Sequence, residues 1–167
     1  LHWTAADSRP ALDTGADGLL DNWVFDVAAV EDGTVWVGTA SGLSKRSADG
    51  AWSDETPPPP NPDDVYQRWA QAVLPTPDGG LWVAMGRGGL HRRTPDGRWQ
   101  FVALTGLDTG MRDDVRSLAL AADGSLWIGG MASGVVQRQA GGTVVPHVPP
   151  HLARGVRRAL RAGGRLW

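Results

Sequence analysis

The sequence predicts an all-β chain made of one short-stranded unit copied in series, and three observations carry that prediction. The segment Glu31-Asp32-Gly33-Thr34-Val35-Trp36-Val37-Gly38-Thr39 returns as Pro77-Asp78-Gly79-Gly80-Leu81-Trp82-Val83-Ala84-Met85 and as Ala122-Asp123-Gly124-Ser125-Leu126-Trp127-Ile128-Gly129-Gly130. The 167 residues include 23 Gly and 12 Pro, about a fifth of the chain against a usual share of roughly 12%. Tryptophan dominates the aromatic residues, with nine Trp against two Phe and one Tyr, as expected where one residue type is copied with a repeat. Internal self-similarity at a fixed period outranks every other pattern in deciding a fold.

The elements of the unit follow in order. An apolar strand comes first, marked by Val24 with Val27, Ala70 with Val73, and Val115 with Leu118. An Asp-Gly turn follows at Asp32, Asp78 and Asp123; Gly accepts positive φ there, and Asp bonds its own downstream backbone. The second strand carries Trp36, Trp82 and Trp127. Val35 and Val37 flank Trp36, so both faces of the strand are apolar, as in a sheet covered on both sides. Gly38 and Gly129, two residues past the tryptophan, let neighbouring backbone approach closely. The third strand reads Gly42-Leu43 with Arg46, Gly89-Leu90 with Arg93, and Gly134-Val135 with Arg138. The fourth opens at Trp52, Trp99 and Val144.

A fourth copy begins at Gly163-Gly164-Arg165-Leu166-Trp167, and Leu1-His2-Trp3 reads as the last strand of an earlier unit. Successive repeat tryptophans are therefore 46, 45 and 40 residues apart. Four strands at this period form a propeller blade, which buries both its faces only by packing radially against neighbours. The expected fold is an all-β propeller fragment of about three full four-stranded blades plus partial blades at both ends. One partial propeller spans 1–167, with blade repeats at about 19–64, 65–110 and 111–154 and partial blades at 1–18 and 155–167. Propellers close with about 4–8 blades. The chain is therefore expected to be part of a longer polypeptide, or else to close by self-association, because its end blades leave apolar faces uncovered.

Composition excludes several function classes. A formal charge of −2 lacks the electrostatic pull of a general nucleic-acid binder. Without cysteine there is no disulfide framework, thiolate metal site or cysteine nucleophile. The sequence holds no apolar run long enough to span a bilayer and no recognisable signal segment.

The run Asn22-x-Val24-x-x-Val27, then Asp32-Gly33-x-Val35-Trp36-Val37-Gly38-Thr39, then Gly42-Leu43-x-x-Arg46 resembles the two-component regulator propeller repeat. The resemblance covers residues 19–145 in three copies. Ala84-Met85 replaces Gly-Thr in the second copy, and Gly163 replaces the turn Asp in the fourth. The resemblance implies a ligand-sensing, extracytoplasmic and often periplasmic propeller of a bacterial signal-transduction receptor. In this family the propeller is followed by a sandwich domain, a membrane helix and an output module, commonly a histidine kinase and sometimes a diguanylate cyclase. The chain itself is then no enzyme and needs no cofactor or metal. Its partners are the remaining blades and downstream receptor domains, with a small molecule or oligosaccharide as ligand. Two other readings are a non-catalytic interaction propeller and a lyase resembling the streptogramin lyases. A lyase of that type needs a metal, a His base and a carboxylate. Glu31 and Glu55 are the chain's only glutamates, and no His is in phase with them.

A ligand is expected at the propeller's end face, where loops entering the first strands meet those joining the second and third. By phase the candidates there are Asn22, Trp23, Arg68, Trp69, Asp113 and Asp114, plus Arg87. Arg68 and Arg87 suit a carboxylate or phosphate, and Asp113-Asp114 an amine, hydroxyl or cation. Other motifs read as scaffold. Asp13-Thr14-Gly15 and Asp108-Thr109-Gly110 look like the paired turns of an aspartic protease, but both occupy loops ahead of a blade. Asp13 to Gly18 lacks the ligands of a calcium loop at its third and twelfth positions. His147 and His151 straddle prolines that forbid a helix. Arg157, Arg158, Arg161 and Arg165 fall on or beside a predicted inner strand, Val156–Leu160. Pro57 to Pro60 form an extended inter-blade loop.

Overall fold

In the computed structural model, residues 17–104, 114–130 and 134–147 are described, together with two short strands at 161–162 and 165–166. Three four-stranded antiparallel meanders follow one another. The first comprises β1 (Val24–Ala29), β2 (Val35–Thr39), β3 (Gly42–Arg46) and β4 (Trp52–Asp54). The second holds β5 (Ala70–Pro75), β6 (Leu81–Met85), β7 (Gly89–Arg93) and β8 (Trp99–Val102). The third holds β9 (Val115–Leu120), β10 (Leu126–Gly130), β11 (Val135–Arg138) and β12 (Val144–Pro146). A further antiparallel pair joins β13 (Arg161–Ala162) to β14 (Arg165–Leu166). Val156–Leu160, Arg157, Arg158, His151, Asp13 and Asp108 lie outside the described residues.

The turns form as the Asp-Gly signals predict. Asp32 accepts a hydrogen bond from the Thr34 amide at 2.8 Å, Asp78 from Gly80 at 3.1 Å, and Asp123 from Ser125 at 3.0 Å. The glycine after each aspartate has positive φ. These amide donors favour the charged carboxylate, and they hold Asp32 below its ordinary range; at Asp78 the Thr76 hydroxyl is the larger cause.

The sheets stack like the leaves of a fan. The inner strands β1, β5 and β9 adjoin in sequence, and each later inner strand also packs on the second strand of the blade before it. Two cores result. Trp36 and Leu43 of the first blade are buried with Ala70, Val73, Leu81, Val83 and Met85 of the second. Trp82, Ala84 and Leu90 of the second are buried with Val115, Leu126, Ile128 and Val136 of the third. The tryptophans of the first two blades thus belong to the interface with the next one. A cation from its own blade and another from the following blade cover each ring: Lys45 and Arg93 on Trp36, Arg92 and Arg138 on Trp82. Trp127 is only half-buried and stacks on His147 of its own blade, with ring centroids 4.5 Å apart.

Gly38 meets the next blade directly. A β-carbon there would run into the Ala70 carbonyl oxygen, a backbone atom that cannot swing aside. At the corresponding position of the second blade, Ala84 fits, fully buried. Asp26 adds a polar tie, its Oδ2 accepting the Val73 amide across the blade boundary at 2.9 Å.

Each inner strand also carries one extra residue near its start. Val24 pairs with Thr39 and Asp26 with Gly38, which leaves Phe25 as a bulge; Gln71 and Arg116 repeat it in the second and third blades. A bulge bends the strand and re-aims the side chain it carries.

Candidate functional site

The entry loops and the second-to-third-strand turns do converge at one end of the blades. The Ala40 amide donates to the Trp23 carbonyl at 3.0 Å, and the Gly86 amide to the Trp69 carbonyl at 2.7 Å. Asp21 fastens the first of these loops, accepting from the Trp23 amide and from the Ser41 hydroxyl, each at 2.8 Å. These two donors, the amide foremost, hold its carboxyl below the usual range, so Asp21 stays ionised in neutral solution.

In the second blade, Asp64 caps a single 3-10 turn, Val65–Arg68, by accepting from the Tyr66 amide. Gly86–Gly88 forms a second such turn pressed against the first. A β-carbon on Gly88 would stand 2.6 Å from the Gln67 carbonyl oxygen, so this contact requires glycine. Arg87 is held between these two glycines at the surface.

Four aromatic rings meet above these loops. Trp23, Phe25 and Trp69 form a triangle with centroid separations of 6.0, 5.9 and 5.6 Å. Tyr66 stands edge-on to Trp69 at 4.9 Å, and the Arg87 guanidinium lies 5.5 Å from the centre of the Tyr66 ring. Trp23 remains 62% exposed. An indole this exposed beside other rings presents apolar surface that would gain from contact with a flat group that displaces solvent.

The sequence candidates divide into two groups. Trp23, Trp69 and Arg87 are brought together, with Asn22 exposed on the same entry loop. Arg68 instead reaches back to the first blade, donating through Nε to the Ser41 carbonyl at 3.2 Å and standing 3.8 Å from Asp54. Arg87 faces Asp64 at 3.7 Å. Both ion pairs are long and solvated, hence weak, and an incoming anion could displace either carboxylate. In the third blade Asp114 pairs with Arg116 at 2.5 Å. Asp113 lies outside the described residues.

Phe25, Tyr66, Asp21 and Asp64 join or hold this candidate cluster and were not found from sequence. Tyr66, the chain's one tyrosine, stands three residues before Trp69, a spacing that places both on one side of a helical turn. Phe25 lies one residue off the expected alternation, because the bulge shifts it.

The remaining motifs are occupied structurally. His91 is buried in β7, its Nε2 3.1 Å from the Gly88 carbonyl oxygen and its ring edge-on to Phe101. Glu55 pairs with Arg93 at 3.4 Å. Among the described residues no three His, Cys, Asp or Glu side chains gather as a metal-binding group. Pro57 is buried in the connection between the first two blades. No described helix is long and apolar enough to cross a membrane.

Residues 18–41, which span β1 and β2, match the family model described as two component regulator propeller. Over those residues the first blade is similar to a regulator propeller repeat. No curated protein sequence matches the chain significantly. Among solved structures it is similar to the extracellular domain of a hybrid two component system from B. thetaiotaomicron. That match has a TM-score of 0.72 at 18% identity and covers 99% of this chain and 22% of that one. A second such domain from B. thetaiotaomicron gives 0.69 at 18%, covering 93% and 21%. The virginiamycin B lyase from Staphylococcus aureus gives 0.67 at 18%, covering 87% and 48%. The chain therefore spans about a fifth of the receptor domains and under half of the lyase. At such identities the likeness is one of fold, and it identifies the three meanders as propeller blades.

Proposed function

We propose that this regulator propeller is part of the extracytoplasmic sensor of a bacterial two-component receptor, with its ligand at the Trp23–Trp69 end of the blades. The observation that carries the reading is the four-ring cluster with Arg87 beside it. The cluster is built from two blades, so a bound ligand would bridge them and could bias their relative setting. That is what a sensor coupled to a downstream kinase requires. A ligand with one flat face and one anionic group suits the platform: the face stacks on Trp23, and the anion competes with Asp64 for the Arg87 guanidinium. A small molecule and an oligosaccharide both meet that description, and a diguanylate cyclase in place of the kinase would leave the argument unchanged.

The fold likeness to a lyase favours one competing reading, catalysis. Against it, Glu55 is engaged by Arg93, and His91 is buried in the second blade. A magnesium-dependent turnover assay separates the two readings. For the sensor, Trp69→Ala and Arg87→Ala in the full-length receptor should each abolish or strongly weaken the ligand response of a reporter gene while the receptor still accumulates. An unchanged dose–response in both variants would remove the site.

A further inference from the structure

The turn that carries Arg87 is held differently from its counterpart in the first blade, and the internal repeat shows what changed. In the first blade Thr39 closes the connection from β2 to β3. Its hydroxyl donates to the Gly42 carbonyl at 2.9 Å and accepts from the Ser41 amide at 3.2 Å, in a fully buried position. Met85 stands in the phase of Thr39, three residues past the repeat tryptophan, and is as deeply buried. A thioether has no proton to donate. The connection is also longer. Thr39 pairs with Gly42 but Met85 with Gly89, so Gly86, Arg87 and Gly88 stand where Ala40 and Ser41 do.

His91 supplies the missing donor from β7. Its Nε2 lies 3.1 Å from the Gly88 carbonyl oxygen. A carbonyl only accepts, so Nε2 carries the proton. The ring is 2% exposed and edge-on to Phe101, and burial keeps it neutral. Ser44 and Val136 hold the same phase in the other blades. Ser44 accepts from the Leu20 amide instead, and Val136 has no polar atom to offer. A donor from this position to the turn therefore goes with the turn that bears an arginine. Arg87 is thus pinned on both sides. The Gly86 amide donates to the Trp69 carbonyl at 2.7 Å, and Gly88 is pressed on Gln67 with its own carbonyl on His91.

We infer that His91 is a positioning residue for the ligand end of the blades: its Nε2–H holds the Gly88 carbonyl and so sets the turn from which Arg87 meets an anion. Being buried, it touches no ligand itself. The assignment rests on Arg87 as the anion grip of the proposed site. Without the tether the turn samples other settings, and an incoming anion must first order it, which weakens binding.

Hydrogen exchange followed by mass spectrometry on the full-length protein tests the tether. Val136 occupies this phase in the third blade, so His91→Val should fold. In that variant the peptide containing Gly86 should exchange at least about tenfold faster, as expected when a buried carbonyl loses its donor. The peptide containing Ala40, whose turn Thr39 closes, should keep its protection. His91→Gln brings an amide N–H close to the place of Nε2 and should restore slow exchange. Binding is read with naphthoate, a flat anion, through quenching of tryptophan fluorescence. Its dissociation constant should rise about tenfold in His91→Val and return to the wild-type value in His91→Gln. Unchanged exchange at Gly86, equal acceleration at Ala40, or no rescue by glutamine would each overturn the tether. Wild-type affinity for naphthoate in a His91→Val variant whose Gly86 exchange has risen would overturn the positioning role. A wild type that does not bind naphthoate counts instead against Arg87 as an anion grip, and the exchange result still decides the tether.

Discussion

The Arg93 guanidinium lies 5.4 Å from the centre of the Trp36 ring, although the two residues belong to different blades. The pair recurs one blade later, where Arg138 lies 5.5 Å from Trp82. In the second and third blades the arginine three residues past the Gly-apolar pair is therefore a clasp. Its charge interacts with the π face, and in Arg93 the head also meets Glu55 of the first blade.

Replacing Arg93 with Met keeps most of the packing and removes the charge. Arg93→Met should lower stability by about 1–2 kcal/mol, the range of a partly desolvated cation–π contact. Urea unfolding followed by tryptophan fluorescence checks this, and Arg138→Met should behave alike.

Gly38→Ala puts a methyl group against the Ala70 carbonyl oxygen, so the blades must separate to admit it. The expected cost is roughly 2 kcal/mol, typical of overpacking in a closed interior. A thermal melt of the variant beside the wild type measures it.

Asp26→Ala leaves the Val73 amide without its acceptor at a half-buried boundary. A loss of about 1–3 kcal/mol follows. The local signature is faster hydrogen exchange at the Val73 amide. Asp26→Asn keeps an acceptor oxygen and should restore most of the protection.

His91 makes stability depend on pH. Burial disfavours its charged form and lowers its pKa, outweighing the hydrogen bond to Gly88. The unfolded chain, titrating near about 6.5, therefore binds the proton more readily than the folded one. The contribution of His91 is complete above that pH and is lost as pH falls from there toward the folded value. Melting temperature should drop across this window in the wild type and much less in His91→Val, a residue that Val136 shows to fit the same phase.

Period and phase were legible in the sequence because they are carried by residues that every copy repeats. Trp36 and Trp82, the Asp-Gly turns and the close approach at Gly38 all follow from the pattern. What escaped was whatever a single blade does alone. Asp26 ties two blades, but its counterparts are Ala72 and Ser117, so no repeat announces it. Arg68 and Arg87 read as free anion grips because Asp54 and Asp64, which face them, are neighbours only after folding. Phe25 escaped because a bulge breaks the alternation on which strand reading depends.

That bulge also separates two kinds of change. Phe25, Gln71 and Arg116 are the surplus residues of their strands, outside the pairing that fixes each sheet. An apolar ring, an amide and a cation already occupy these three equivalent places. Selection can thus revise the chemistry at these bulges one blade at a time, leaving each sheet's register as it was.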